Sequence, residues 1–176
     1  MEHAIRSSKY TRSFTLIELI VVIAIIGILA AMSIGSYSNI QKSARNAKRK
    51  ADLKALKTAL EEYNGANDAY PNSGSRWMSS EPGDHYNYNG GNYIPGLAPD
   101  YIDSLPRDPK GGQSPIQPKC GTTQAAYLYK SNGDDYKLLS YCAPERDPFD
   151  SKDPFYDASR PSWAWQVHSS STSRNW

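Results

Sequence analysis

The sequence predicts an α+β fold. A long N-terminal α-helix, with a membrane-crossing first half and an amphipathic second half, is expected to pack on a small antiparallel sheet. Three observations predict it. Residues 14–34 hold 17 apolar side chains in 21 positions, and all twelve prolines lie at or beyond Pro71. Residues 65–176 hold ten Leu, Ile, Val or Met side chains against sixteen aromatics, which is the composition of a loop-rich head. Residues 125–130 and 135–141 read as two strands around Asn132-Gly133, a strong hairpin signal. A chain of 176 residues has room for one domain plus an appendage. Two cysteines exclude a disulfide-dense scaffold and a four-cysteine zinc site, and a net charge of +2 does not argue for nucleic acid.

The first element is a short basic flank. Residues 1–13 carry Arg6, Lys9 and Arg12 against one acid, Glu2. The apolar run follows at once. As a helix, 21 residues span about 31 Å, close to the roughly 30 Å hydrocarbon core of a bilayer. The basic flank orients it with its start in the cytoplasm and the rest of the chain outside. A cleavable secretory signal is the alternative, but the run is longer than the usual apolar region of such signals. Glu18 is the one charge between Phe14 and Ile34. A carboxylate in an apolar span costs about 2.5 kcal/mol or more, so it calls for a partner or a place near an interface.

The stretch Ser13-Phe14-Thr15-Leu16-Ile17-Glu18-Leu19-Ile20-Val21-Val22-Ile23-Ala24-Ile25-Ile26-Gly27-Ile28-Leu29-Ala30-Ala31 resembles the class III signal and N-terminal helix of type IV pilins and type II secretion pseudopilins. The resemblance implies cleavage by a prepilin peptidase between Ser13 and Phe14 and N-methylation of the new Phe14 amine. It also implies that Glu18 is the assembly carboxylate, facing the Phe14 amine of a neighbouring subunit. The implied partners are other copies of the chain or of related pilins, the peptidase, an assembly platform with its ATPase machinery, and membrane lipid. Two positions depart from the family pattern. Ser13 stands where the family almost always has glycine, and Gly35 stands where many pilins have a helix-kinking proline.

The second half of the helix is expected over residues 36–64. This stretch has no proline and is rich in Ala, Lys, Leu and Glu. Leu53, Leu56, Leu60 and Tyr63 follow a 3-4-3 spacing that marks one apolar face. Lys57 and Glu61 form a helical i,i+4 pair, and Asn64-Gly65 is the expected stop. Lys42, Arg45, Lys48, Arg49, Lys50, Lys54 and Lys57 face one local acid, Asp52. A solvated helix face explains them more simply than contact with DNA phosphates, because no base-reading or stacking motif accompanies them.

The head is expected over residues 65–176, with three or four strands against the Leu53–Leu60 face and residues 79–96 as a long surface loop. Tyr127, Tyr129, Tyr136 and Tyr141 suit half-buried strand positions. Cys120 and Cys142 flank the hairpin; outside the membrane they are expected to form a disulfide, with two free thiols as the alternative. Acidic late loops place Asp134, Asp135, Asp147 and Asp150 as a minority calcium reading, since several pseudopilins bind calcium after the hairpin; no EF-hand spacing is present, and no cofactor is expected. Trp163, Trp165 and Trp176 sit in a Ser-rich tail; packing on the sheet, by Trp163 and Trp165, is expected, with a carbohydrate-binding or partner-binding surface as the lesser alternative. His3, His85 and His168 are far apart, and no phosphate loop or nucleophile elbow is present, so no enzyme is expected.

The resulting division is a leader over 1–13, a membrane and assembly helix over 14–35, an amphipathic helix over 36–64 and an extracytoplasmic pilin-like head over 65–176. The function this implies is a structural subunit of a type IV pilus-like filament. The alternatives are a type II secretion pseudopilin and a monomeric membrane-anchored binding module with an uncut leader.

Overall fold

The computed structural model describes residues 14–82, 86–112, 120, 124–145 and 149–176, with the side chains of residues 32–36 excepted. The fold is α+β, with one long helix and a five-stranded mixed sheet. The chain divides into two compact units, residues 1–40 and 41–176. Helix α1, Leu16–Asn67, contributes to both.

In the first unit every described side chain from Phe14 to Ala31 is exposed. Among the described residues no helix is long and apolar enough to cross a membrane. Residues 32–35 of the span expected over 14–35 lie outside the described side chains.

The second unit holds the core. Leu53, Leu56 and Leu60 are completely buried, as their spacing predicts, and Ala59 fills the gap between them. They pack on the sheet, whose strands are β1 (Met78–Ser79), β2 (Asn87–Tyr88), β3 (Ala126–Ser131), β4 (Tyr136–Tyr141) and β5 (Ala164–His168). The spatial order is β2-β1-β3-β4-β5, with β1 and β2 parallel and every other neighbour antiparallel. Strand alternation sends Tyr127, Tyr129, Tyr136, Leu138, Trp165 and Val167 to the α1 side, where they share one core. Ala126, Leu128 and Leu139 point to the other face and are covered by Trp77, Tyr86 and Tyr141.

Four expectations change. The sheet has five strands, because the short pair β1 and β2 extends one edge and β5 extends the other. The stretch read as a long surface loop carries completely buried Tyr93 and Ile94, followed by completely buried Leu97, so it supplies core where aliphatic residues are scarce. The helix passes Gly65 and stops at Asn67; Asp68 then takes a left-handed φ of 53° and donates its backbone N–H to Asn64 O at 2.9 Å. Tyr63 against Tyr101, with ring centroids 5.1 Å apart, and Asn67 donating to the Tyr101 hydroxyl at 3.0 Å hold that extra turn. Finally, Glu61 does not pair with Lys57. It accepts the hydroxyls of Tyr70 and Tyr136 at 2.9 and 3.2 Å.

The basic stretch of α1 is not simply solvated. Arg49 is completely buried and donates to both oxygens of buried Asp108, at 2.7 and 3.0 Å. It also reaches Glu145 at 3.1 Å, while Arg45 forms a two-pronged pair with Glu145 at 2.6 Å on each oxygen. Lys50 pairs with Asp153 and lies 4.5 Å from the Trp165 ring centroid. The opposing acids come from distant loops, which a local reading of charge does not bring together. A disulfide joins Cys120 to Cys142, just past β4.

Candidate functional site

The candidate site is the start of α1. The first helical turn leaves backbone N–H groups without intrahelical acceptors. Thr15 sits immediately before the helix and Glu18 three residues further on, the spacing of a capping box. Both halves of the box are formed. Thr15 Oγ1 accepts from the Glu18 backbone N–H at 3.3 Å, and Glu18 Oε2 accepts from the Thr15 backbone N–H at 2.8 Å. The Thr15 hydroxyl also donates to Glu18 Oε2, at 2.7 Å. Glu18 therefore has a local role: it closes the helix start and places a negative charge at the positive end of the helix dipole. Thr15 was the residue missed by reading function from the sequence, although Thr-x-x-Glu before an apolar run is a recognised signal.

Around Glu18 the surface is apolar and open. Phe14 is 82% exposed and Leu16 75% exposed. Phe14, Ile17, Val21 and Val22 line a shallow apolar hollow beside Glu18. A contiguous apolar surface of this kind is far beyond what a monomer in water ordinarily presents. It needs lipid or other chains against it. A single carboxylate in such a surface can meet a cation brought by another chain, with its other oxygen, Oε1, as acceptor. Ser13, the residue before the expected cut, lies outside the described residues.

The other predicted site residues sort as follows. Cys120 and Cys142 are joined. Asp135 accepts the Ser169 hydroxyl at 2.8 Å and Asp150 accepts the Lys152 backbone N–H at 2.9 Å, while Asp134 is exposed in the hairpin turn. Asp147 lies outside the described residues. Among the described residues no three His, Cys, Asp or Glu side chains stand together as a metal-binding group.

Residues 8–34 match the family described as the prokaryotic N-terminal methylation motif. The chain is 38% identical to the type IV major pilin protein PilA of Myxococcus xanthus over 84 residues, covering 47% of this chain and 38% of that protein. It is 34% identical to type II secretion system core protein G of Escherichia coli over 113 residues, covering 60% of this chain and 71% of that protein. A fimbrial protein of Pseudomonas aeruginosa is 45% identical over 53 residues, 30% of this chain and 34% of its own length. No solved structure matches the chain. The alignment with core protein G runs through most of that protein, and the chain belongs to the type IV pilin and type II secretion pseudopilin family.

Proposed function

We propose that this chain is a structural subunit of a type IV pilus-like filament, polymerising through its N-terminal helix. The observation that carries the proposal is the wholly exposed apolar stretch from Phe14 to Ala31, interrupted by one carboxylate. On this reading residues 1–13 are a leader removed by a prepilin peptidase, which cuts between Ser13 and Phe14, and the Phe14 amine is then methylated. Residues 14–35 wait in the inner membrane and later line the filament core. Residues 36–64 form the amphipathic helix, and residues 65–176 lie outside the cytoplasm. Methylation keeps the amine charged, so Glu18 of one subunit can pair with Phe14 of the next. Such a buried pair adds little net stability, because desolvation opposes attraction; its use is to set the register between identical helices. Apolar packing supplies the cohesion. An assembly platform and its ATPase would drive the transfer from membrane to filament. The subunit itself is a substrate of processing enzymes rather than a catalyst.

The type II secretion pseudopilin is the second reading, and the 71% coverage of core protein G favours it over a more distant alternative. The decisive experiment is mass spectrometry of the mature N-terminus, followed by purification of the assembled form. A methylated Phe14 end supports the filament route. An intact Met1 end assigns the chain to a monomeric anchored module, and an end near Ser33 assigns it to ordinary secretion. Long sheared filaments support the pilus reading, and short periplasmic polymers support the pseudopilin.

A further inference from the structure

Within residues 41–176 a different chain segment lies on each flank of α1, and the charges left unpaired on the two flanks have opposite signs. One flank is that of β5, an edge strand of the sheet. There Lys54 and Lys57 stand three residues apart, as neighbours on the helix surface, and share a cleft of about 300 Å³ with Phe155 and His168. Both lysines are exposed, and Lys54 Nζ lies 5.9 Å from the Phe155 ring centroid. Among the described residues neither lysine has a carboxylate within ion-pair distance. The acids beside them are already engaged. Glu61, one turn on, accepts the Tyr70 and Tyr136 hydroxyls, and Asp153 pairs with Lys50.

The other flank is that of β2, the opposite edge strand. The chain beyond β2 returns to α1, with Gly96 and Tyr101 against Tyr63. It carries Asp100 and Asp103, both exposed and, among the described residues, without a cation within ion-pair distance. Asp103 lines a shallow hollow with Gly90, Gly91, Ala98 and Pro99. The space a side chain would take at Gly90 and Gly91 is open. Four strand spacings separate β2 from β5, roughly 19 Å. The free lysines and the free aspartates thus face opposite edges and do not meet within one molecule.

We propose that the two flanks meet between neighbouring copies, with Asp100 and Asp103 of one head docked on Lys54 and Lys57 of the next. Resting on the filament subunit proposed above, this contact extends assembly from the helix to the head. A contact between two different patches of the same chain is heterologous, and repeated without closing it builds an open filament. Each copy brings both halves, so each contact neutralises charges that a lone subunit leaves unpaired. A lysine stem can lie along the apolar wall of the hollow while its ammonium reaches the carboxylate. Exposed ion pairs add little cohesion; they fix the orientation and register of adjacent heads, while helix packing holds the copies together. An anionic lipid or a nucleic acid would account for the lysines and leave the aspartates on the opposite edge without a role.

The test applies a carbodiimide, which joins an ammonium to a carboxylate in direct contact, to sheared filaments of the unaltered chain and to the same chain dispersed in detergent. Peptide mass spectrometry is expected to find Lys54 or Lys57 joined to Asp100 or Asp103 in filaments and not in the dispersed chain. Lys54→Glu with Lys57→Glu, and Asp100→Lys with Asp103→Lys, are each expected to lower filament yield about tenfold or more at unchanged circular dichroism. All four substitutions together are expected to restore most of the yield. The cross-link needs no substitution, so the test holds if a variant fails to fold. Four results would each overturn the contact and leave the filament reading in place: filaments without the cross-link, the same cross-link in the dispersed chain, lysines joined only to a different protein, or normal yield from either charge-reversed pair. Failure of a folded fourfold variant to recover yield would do the same. An unaltered chain that forms no polymer would overturn both.

Discussion

One substitution at Glu18 can separate the cap it forms from the role proposed for it in assembly. Its carboxylate caps its own helix through Thr15, and the proposed filament asks the same group to meet a neighbour's amine. A glutamine at this position still offers an oxygen for the cap but has no charge. Glu18→Ala is expected to insert in the membrane normally and to assemble poorly. If charge pairing sets the register, Glu18→Gln assembles as poorly as Glu18→Ala; filament yield restored by glutamine would assign the residue to capping alone. Thr15→Ala loses the hydroxyl half of the cap, at a cost of about 1 kcal/mol, and should leave filament yield close to normal. At the other end of the buried-charge scale stands Glu145. Burial pushes its carboxyl up, but bonds from Arg45 and Arg49 outweigh burial and hold it below the usual carboxylate range. A depressed folded value contributes stability above the ordinary carboxyl pKa of about 4, and that stability is lost as pH falls through the folded value. Glu145 is therefore expected to add an acid limb to the thermal midpoint below about pH 4, with Glu145→Gln showing a shallower acid limb from a lower starting point. Arg49→Ala strands buried Asp108 without its charged partner and leaves Glu145 to Arg45, and it is expected to cost about 3–5 kcal/mol in urea unfolding, more than Arg49→Met together with neutralised Asp108.

At the scale of elements, the hairpin and the helix were legible because their signals are local. Asn132-Gly133 between alternating residues specifies β3 and β4 to within a residue, and the 3-4 spacing of Leu53, Leu56 and Leu60 names the buried face of α1. The helix end was less legible, since Gly65 is a strong stop signal and the contacts that override it, through Tyr101, lie far along the chain. Strand β5 was masked by its setting: Trp165 and Val167 alternate as a strand should, but they sit in a Ser-rich tail, where Trp165 reads as a packing residue. Strands β1 and β2 have two residues each, too few to show any period. The partners of Arg45 and Arg49 are about a hundred or sixty positions away, so no window of sequence could pair them. The cysteines were legible from their positions around the hairpin. Their bridge closes 22 residues, for which loop-closure entropy predicts about 3 kcal/mol. Urea unfolding with and without reductant is expected to differ by about that amount, with the reduced protein weaker. An unchanged midpoint on reduction would mean that the tyrosine core and the Arg49 cluster hold this region unaided.

The whole molecule divides by the kind of surface each unit presents. Residues 41–176 own a closed core in which α1 supplies Leu53, Leu56 and Leu60 and the sheet supplies tyrosines, Leu138 and Trp165. In the unit 1–40 the described apolar side chains are all exposed, so no described residue of that unit covers them. A filament subunit is built on this division, because one part must fold before assembly and the other must stay available for it. The division makes a direct prediction. A chain beginning at Gln41 keeps the helix face, the sheet, the Arg49 cluster and both cysteines, and it loses the exposed apolar stretch. It is expected to be monomeric in sedimentation without detergent, to form the Cys120–Cys142 bridge, and to unfold cooperatively with a midpoint within a few degrees of that of the full chain in micelles. The full chain without detergent or lipid is expected to associate, because its apolar stretch has no other cover. A truncated chain that aggregates or melts without cooperativity would show that the first forty residues are needed for folding as well as for assembly, and the separation of the two tasks would have to be abandoned.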